Sequence, residues 1–121
     1  MSKTVLTIDD SRTMREMLHH ALVQAGYTVI QAVDGVEGLE VLQAQGADVV
    51  ITDINMPRMD GFGVIEGVRA DPNHRATPIL VLTTESDAAK KERARAAGAT
   101  GWIVKPFNPV KLIDAVRRVA A

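Results

Sequence analysis

The sequence predicts an α/β fold: one doubly wound, five-stranded parallel sheet with helices on both faces. Three observations predict it. Five short β-rich runs recur along the chain, at Thr4–Ile8, Tyr27–Ala32, Asp48–Thr52, Pro78–Thr83 and Thr100–Val104. Several are near-continuous Val, Ile and Leu, the composition of strands buried on both faces. Each run is followed by a segment long enough for a helix, so strand and helix alternate five times. Right-handed crossovers then place helices on both sides of the sheet. At 121 residues the chain suits a single domain over 1–121 that closes its core without staples.

The elements follow in order. After the first strand, Met14, Met17, Leu18, Ala21, Leu22 and Ala25 fall on one helical stripe, with Ser11 to cap it and Gly26 to end it. The second helix opens at Asp34-Gly35-Val36-Glu37, an acid followed three residues later by Glu, which is a capping-box pattern. The third starts near Asp60 and contains Gly63 and Gly67, each costing up to about 1 kcal/mol relative to Ala in a helix interior. The fourth spans Ser86–Ala97 and ends at Gly98. The fifth has Asn108 as cap and Pro109 in its first turn, with Leu112, Ile113, Val116 and Val119 facing inward.

Composition removes several function classes. There is no cysteine, which excludes disulfide scaffolds, thiol catalysis and Cys-ligated metals. Fifteen acids face 14 bases, so net charge favours neither nucleic acid nor an anionic membrane. Only four residues are aromatic (Tyr27, Phe62, Trp102, Phe107), too few for a base-stacking platform. No run approaches the roughly 20 apolar residues of a membrane helix, and no signal peptide opens the chain. A cytosolic monomer is expected.

Four strands end in polar groups: Asp9-Asp10, Asp53, Thr83-Thr84-Glu85 and Lys105-Pro106. Ligands of open doubly wound sheets bind beyond the carboxyl ends of the strands. Three carboxylates, a hydroxyl and an ammonium are therefore expected in one pocket. Crowded carboxylates repel and call for a cation. Oxygen-only ligands favour a hard ion, and a shallow hydrated site favours Mg²⁺. A carboxylate beside Mg²⁺ and a lysine suits phosphoryl transfer to an aspartate. Singly, each residue also has an ordinary reading: Asp9-Asp10 as a helix cap, Asp53 as a turn, Lys105 as a solvated strand end. Their joint placement at separate strand ends carries the functional one.

With these residues in view, the chain resembles a response-regulator receiver domain from end to end, through Asp9-Asp10, Asp53-Ile54-Asn55-Met56-Pro57, Asp60-Gly61, Thr83 and Lys105-Pro106-Phe107. The resemblance implies a flavodoxin-like sheet of order 2-1-3-4-5. It implies that Asp53 is the phosphoacceptor for a histidine kinase, and that Asp10, Asp53 and the backbone carbonyl of Asn55 bind Mg²⁺ directly, with Asp9 acting mainly through a metal-bound water. Thr83 and Lys105 would hold phosphoryl oxygens, the Lys105–Pro106 peptide would be cis, and Pro57 and Gly61 would shape the loop after Asp53. Asn55 and Glu85 would tune hydrolysis of the acyl phosphate. Thr83 and Trp102 would be the switch pair, Trp102 standing where the family more often has Tyr or Phe; the competing view makes Trp102 a static surface aromatic.

Lys90, Lys91, Arg93 and Arg95 form a basic run, read first as a solvated face and second as a docking surface extended by Lys111, Arg117 and Arg118. Without an appended DNA-binding domain, the chain is expected to signal by contact. Its likeness to the CheY group of chemotaxis implies a CheA-type kinase, a flagellar motor switch protein and a phosphatase as partners. A stand-alone phosphorelay or phosphate-sink receiver is the alternative. An aspartyl-phosphate phosphatase would need a second acid two residues after the nucleophile, where Asn55 stands. A flavodoxin-like cofactor carrier would need a phosphate-cradling loop where Asp9-Asp10 repels phosphate. The chain is thus expected to be a phosphoacceptor and not an enzyme.

Overall fold

The structure is a computed structural model that describes residues 2–120. Strands and helices alternate: β1 (Thr4–Ile8), α1 (Arg12–Gln24), β2 (Thr28–Ala32), α2 (Gly35–Gln45), β3 (Val49–Thr52), α3 (Gly61–Ala70), β4 (Ile79–Thr83), α4 (Ala88–Ala97), β5 (Gly101–Val104) and α5 (Pro109–Ala120). All strand pairs are parallel, in the order β2-β1-β3-β4-β5.

Strand periodicity sorts the core into two layers. Val5, Val49, Ile51, Leu80 and Leu82 point to one face, where Leu18 and Leu22 of α1 and Leu112 and Val116 of α5 cover them. Leu6, Ile8, Val50, Ile79 and Val81 point to the other, under Leu42 of α2, Phe62, Val64, Ile65 and Val68 of α3 and Ala94 of α4. Residues alternating between two buried faces explain why β3 and β4 have no exposed position.

Caps set the helix starts. The Ser11 hydroxyl accepts from the Met14 N–H, and Asp60 accepts from the Gly63 N–H. At α2, Asp34 accepts from the Glu37 N–H at 2.9 Å, while Glu37 reaches back to the N–H of Val33, one residue outside the cap. Asn108 Oδ1 accepts from the N–H groups of Val110 and Lys111.

Some expectations need correction. Helix α4 starts at Ala88 and not Ser86, because Asp87 takes the cap by accepting from Ala89 and Lys90. Met17 is 48% exposed, since Leu18 and Leu22 already fill the space against the sheet. Ala25 lies outside α1, at its C-cap, and the strands begin one residue later than expected at β2 to β5. No described helix is long and apolar enough to cross a membrane.

Candidate functional site

Chain direction reverses around β1: the sequence runs outward to β2, then returns across it to β3. The crevice at such a switch point opens between the carboxyl ends of β1 and β3. The sheet ladder extends one residue past three strands and so fixes the backbone there. The Asp9 N–H donates to the Ala32 carbonyl at 3.2 Å, Asp53 to Ile8 at 3.0 Å and Lys105 to Thr83 at 2.8 Å. Asp9, Asp53 and Lys105 are loop residues by sequence, yet their Cα positions are set by the sheet.

Their side chains meet. Lys105 Nζ donates to Asp53 Oδ2 at 2.7 Å and to Asp9 Oδ2 at 2.9 Å. The other carboxylate oxygens are held by backbone: Asp53 Oδ1 accepts from the Ile54 N–H at 2.6 Å, and Asp9 Oδ1 from the Ser11 N–H at 2.9 Å. Asp9, Asp10 and Asp53 each present an oxygen within 4.8 Å of the others, a cluster able to hold a metal ion. Asp9 and Asp53 are buried and Asp10 is exposed, so the cluster opens to solvent on the Asp10 side.

The electrostatics follow from burial opposed by pairing. Burial pushes the Asp9 carboxyl above its ordinary range, more than the hydrogen bond from Lys105 pulls it down. Burial also works against the Lys105 charge, but hydrogen bonds to Asp53 and Asp9 outweigh it and hold the ammonium protonated to higher pH than usual. One cation thus serves two carboxylates, with a third close by. Oxygen donors without His or Cys, open to water on one side, fit a hard divalent ion.

The remaining expected residues surround this cluster unequally. Thr83 is fully buried as the last residue of β4, and its hydroxyl accepts from the Glu85 N–H at 3.3 Å, leaving its own proton to donate. The Lys105–Pro106 peptide is cis. Gly61 lies against the carbonyl of Asp53 and the Cα of Ile54, where a Cβ has no room. Pro57 and Asn55 are exposed in the β3–α3 loop. The Glu85 carboxylate is engaged by Lys90 Nζ at 3.1 Å. Trp102 is half-buried, packs on the core layer under α2, α3 and α4, and donates its indole N–H to the Glu85 carbonyl at 3.2 Å. It also lines a groove of about 260 Å³ with Lys91, Ala94, Arg95 and Ala99.

Two contacts had no sequence signal. Arg15 of α1 donates Nη1 to the Asp9 carbonyl at 2.6 Å. Arg58 forms a bidentate ion pair with Asp34, 24 residues away.

An acidic pocket and a half-buried lysine at the switch point of a 2-1-3-4-5 sheet define the receiver class of signalling domains. The chain belongs to the response regulator receiver domain family, which matches residues 5–117. It is 39% identical over 116 residues to a probable chemotaxis protein CheY of Rhizobium etli, covering 95% of this chain and 90% of that protein. Among solved structures it is similar to the chemotaxis protein CheY4 of Vibrio cholerae, at 47% identity and a TM-score of 0.94 over 98% of this chain and 99% of that one. It is also similar to the receiver domain of the Pseudomonas aeruginosa sensor histidine kinase PA1611, solved with a magnesium ion in the active site cleft, at 25% identity, a TM-score of 0.91, and 99% and 98% coverage.

Proposed function

We propose that the chain is a phosphoacceptor switch of two-component signalling, with Asp53 taking a phosphoryl group from a histidine kinase. The observation that carries this reading is the placement of Lys105 Nζ on both Asp53 and Asp9 inside the three-aspartate cluster. Asp9, Asp10 and Asp53, with the Asn55 backbone carbonyl, would hold Mg²⁺, which when bound neutralises charge on the phosphoryl oxygens. An Asp53 carboxylate oxygen attacks phosphorus in line; the bond from phosphorus to the kinase imidazole nitrogen breaks, and the imidazole leaves neutral, keeping the proton already on its other ring nitrogen. Lys105 and the Thr83 hydroxyl hold the oxygens of the transferred group. The acceptor is the protein's own side chain, so the chain acts as a switch and not as a turnover enzyme.

The phosphoryl group adds about −1.5 to −2 charge and new acceptor oxygens beside Thr83. Thr83, Glu85 and Trp102 are linked in series, through the Thr83–Glu85 and Trp102–Glu85 hydrogen bonds. That series would carry the change to the face of α4, β5 and α5. Similarity to the CheY proteins of R. etli and V. cholerae supports chemotaxis as the pathway, with a CheA-type kinase upstream, a flagellar motor switch protein downstream and a phosphatase for reset.

The test is intact mass after incubation with Mg²⁺ and a small phosphodonor. One added phosphoryl group is expected on the wild type and none on Asp53→Asn. A wild type that stays unmodified when both donor and phosphorylated kinase are supplied overturns the reading.

A further inference from the structure

The β3–α3 loop, residues 53–60, carries the Asn55 carbonyl between two fixed ends. Near Asp53, the Gly61 N–H donates to the Ile54 carbonyl at 2.8 Å, and Gly61 sits directly against the backbone of Asp53 and Ile54. In between, Asn55, Pro57 and Arg58 are exposed, while Ile54 is buried and Met56 and Met59 pack against the core. At the far end Arg58 adopts φ 66°, the one positive φ at a non-glycine among the described residues. An arginine holds that conformation only where its surroundings impose it.

Two contacts hold the chain at Arg58: the Met59 N–H donates to the Pro57 carbonyl at 2.7 Å across it, and its side chain is tied to Asp34. Arg58 Nε donates to Asp34 Oδ2 at 2.7 Å and Nη2 donates to Oδ1 at 3.1 Å, a bidentate fork on a carboxylate whose side chain is only 6% exposed. The same carboxylate caps α2. The next residue, Gly35, lies against the backbone of this loop: a Cβ there would stand 2.7 Å from the Met59 carbonyl oxygen. The first turn of α2 is therefore a wall on which the loop is both packed and pinned. That wall follows directly from the end of β2, where the Ala32 carbonyl accepts the Asp9 N–H.

We infer that Asp34 and Arg58 are positioning residues for the acidic pocket: their ion pair holds the loop so that the Asn55 carbonyl stands in register with Asp9, Asp10 and Asp53. The inference rests on the reading of that cluster as a Mg²⁺ site. Neither residue touches the cluster oxygens; both act through the backbone of residues 54–59.

The variants are chosen to remove the pair and leave local structure intact. Asp34→Ser keeps a capping side chain for α2, and Arg58→Asn keeps a residue that tolerates positive φ. Two measurements are made on both single variants and the double: amide hydrogen exchange on protein stripped of divalent ions, and calorimetric titration with Mg²⁺. Amides of residues 54–59 should exchange about threefold to tenfold faster than in the wild type, and Mg²⁺ should bind about threefold to tenfold more weakly. The double variant should be no worse than the poorer single, because both remove one interaction. Unchanged loop exchange, or faster exchange with unchanged Mg²⁺ affinity, overturns the positioning role. A wild type that binds no Mg²⁺ brings down the reading of the cluster, and the inference with it.

Discussion

The indole N–H of Trp102 donates to the backbone carbonyl of Glu85 at 3.2 Å, tying β5 to the β4–α4 loop. Trp102 is therefore half-buried and anchored. Phe could pack there but could not donate. Trp102→Phe should lose about 1 kcal/mol in urea denaturation. Trp102 is also the sole tryptophan. Its emission should change when Mg²⁺ and a small phosphodonor are added, because Glu85 is bonded through its N–H to Thr83, whose carbonyl accepts from the N–H of Lys105. Constant emission alongside a confirmed phosphoryl mass would exclude Trp102 from the switch.

Lys105 is the cation that lets Asp9 and Asp53 stay buried together. Lys105→Gln keeps a donor on a side chain one atom shorter but removes the charge. Leaving two buried carboxylates without it should destabilise the metal-free protein by about 3 kcal/mol. Added Mg²⁺ should recover part of that loss, by more than it stabilises the wild type. Phosphorylation from a small donor should slow by about 10²-fold, the usual effect of removing one preorganised electrostatic contact. A variant phosphorylated at the wild-type rate would remove Lys105 from the chemistry.

Much of this was legible in the chain. Val49-Val50-Ile51-Thr52 reads as a strand buried on both faces, and a polar residue after such a run can lie only at the sheet's end. That logic located Asp53, Asp9 and Lys105. Less was legible wherever two neighbours could play one role. Ser86 and Asp87 are both competent caps, and only the fold shows that Asp87 accepts from Ala89 and Lys90. Gly63 and Gly67 read as helix weaknesses. In the structure they are close approaches, with a Cβ at Gly67 falling 2.5 Å from Leu39 Cδ1 and one at Gly63 falling 2.7 Å from Met59 Cγ. The Asp34–Arg58 pair joins residues whose partnership depends on the β3–α3 loop folding back, and no local spacing encodes it.

Thr7 is fully buried in β1, and its hydroxyl has no hydrogen-bond partner. An unsatisfied buried hydroxyl costs free energy that its methyl does not recover. Valine has the same branched shape and no polar atom. Thr7→Val should therefore be neutral or stabilise the protein by up to about 1 kcal/mol in urea denaturation. Thr7→Ser keeps the orphaned oxygen and deletes a methyl, so it should destabilise by about 1 kcal/mol. A Thr7→Val variant less stable than the wild type would mean that the hydroxyl has a partner, such as a buried water.

The Asp34–Arg58 pair also sets how the fold responds to acid. The hydrogen bond from Arg58, followed by that from the Glu37 N–H, holds the Asp34 carboxyl below its ordinary value of 3.8. A group whose folded pKa lies below its unfolded one stabilises the fold fully above the unfolded value, and the contribution is lost as pH falls through the folded one. Asp9 has the opposite sign: burial raises it, so the folded chain takes up that proton at higher pH than the unfolded chain does, which favours the fold as pH falls toward 3.8. Asp34 therefore adds to acid sensitivity and Asp9 opposes it. Urea denaturation of wild type and Asp34→Ser should show a stability gap that is constant from neutral pH down to about pH 5 and closes below 3.8. The exposed side of the pair makes it salt-sensitive, and the gap at neutral pH should narrow at 1 M salt, where the Debye length falls to about 3 Å. A gap that stays open at the lowest pH would assign the effect of Asp34→Ser to contacts that do not depend on the carboxylate charge and not to the ion pair.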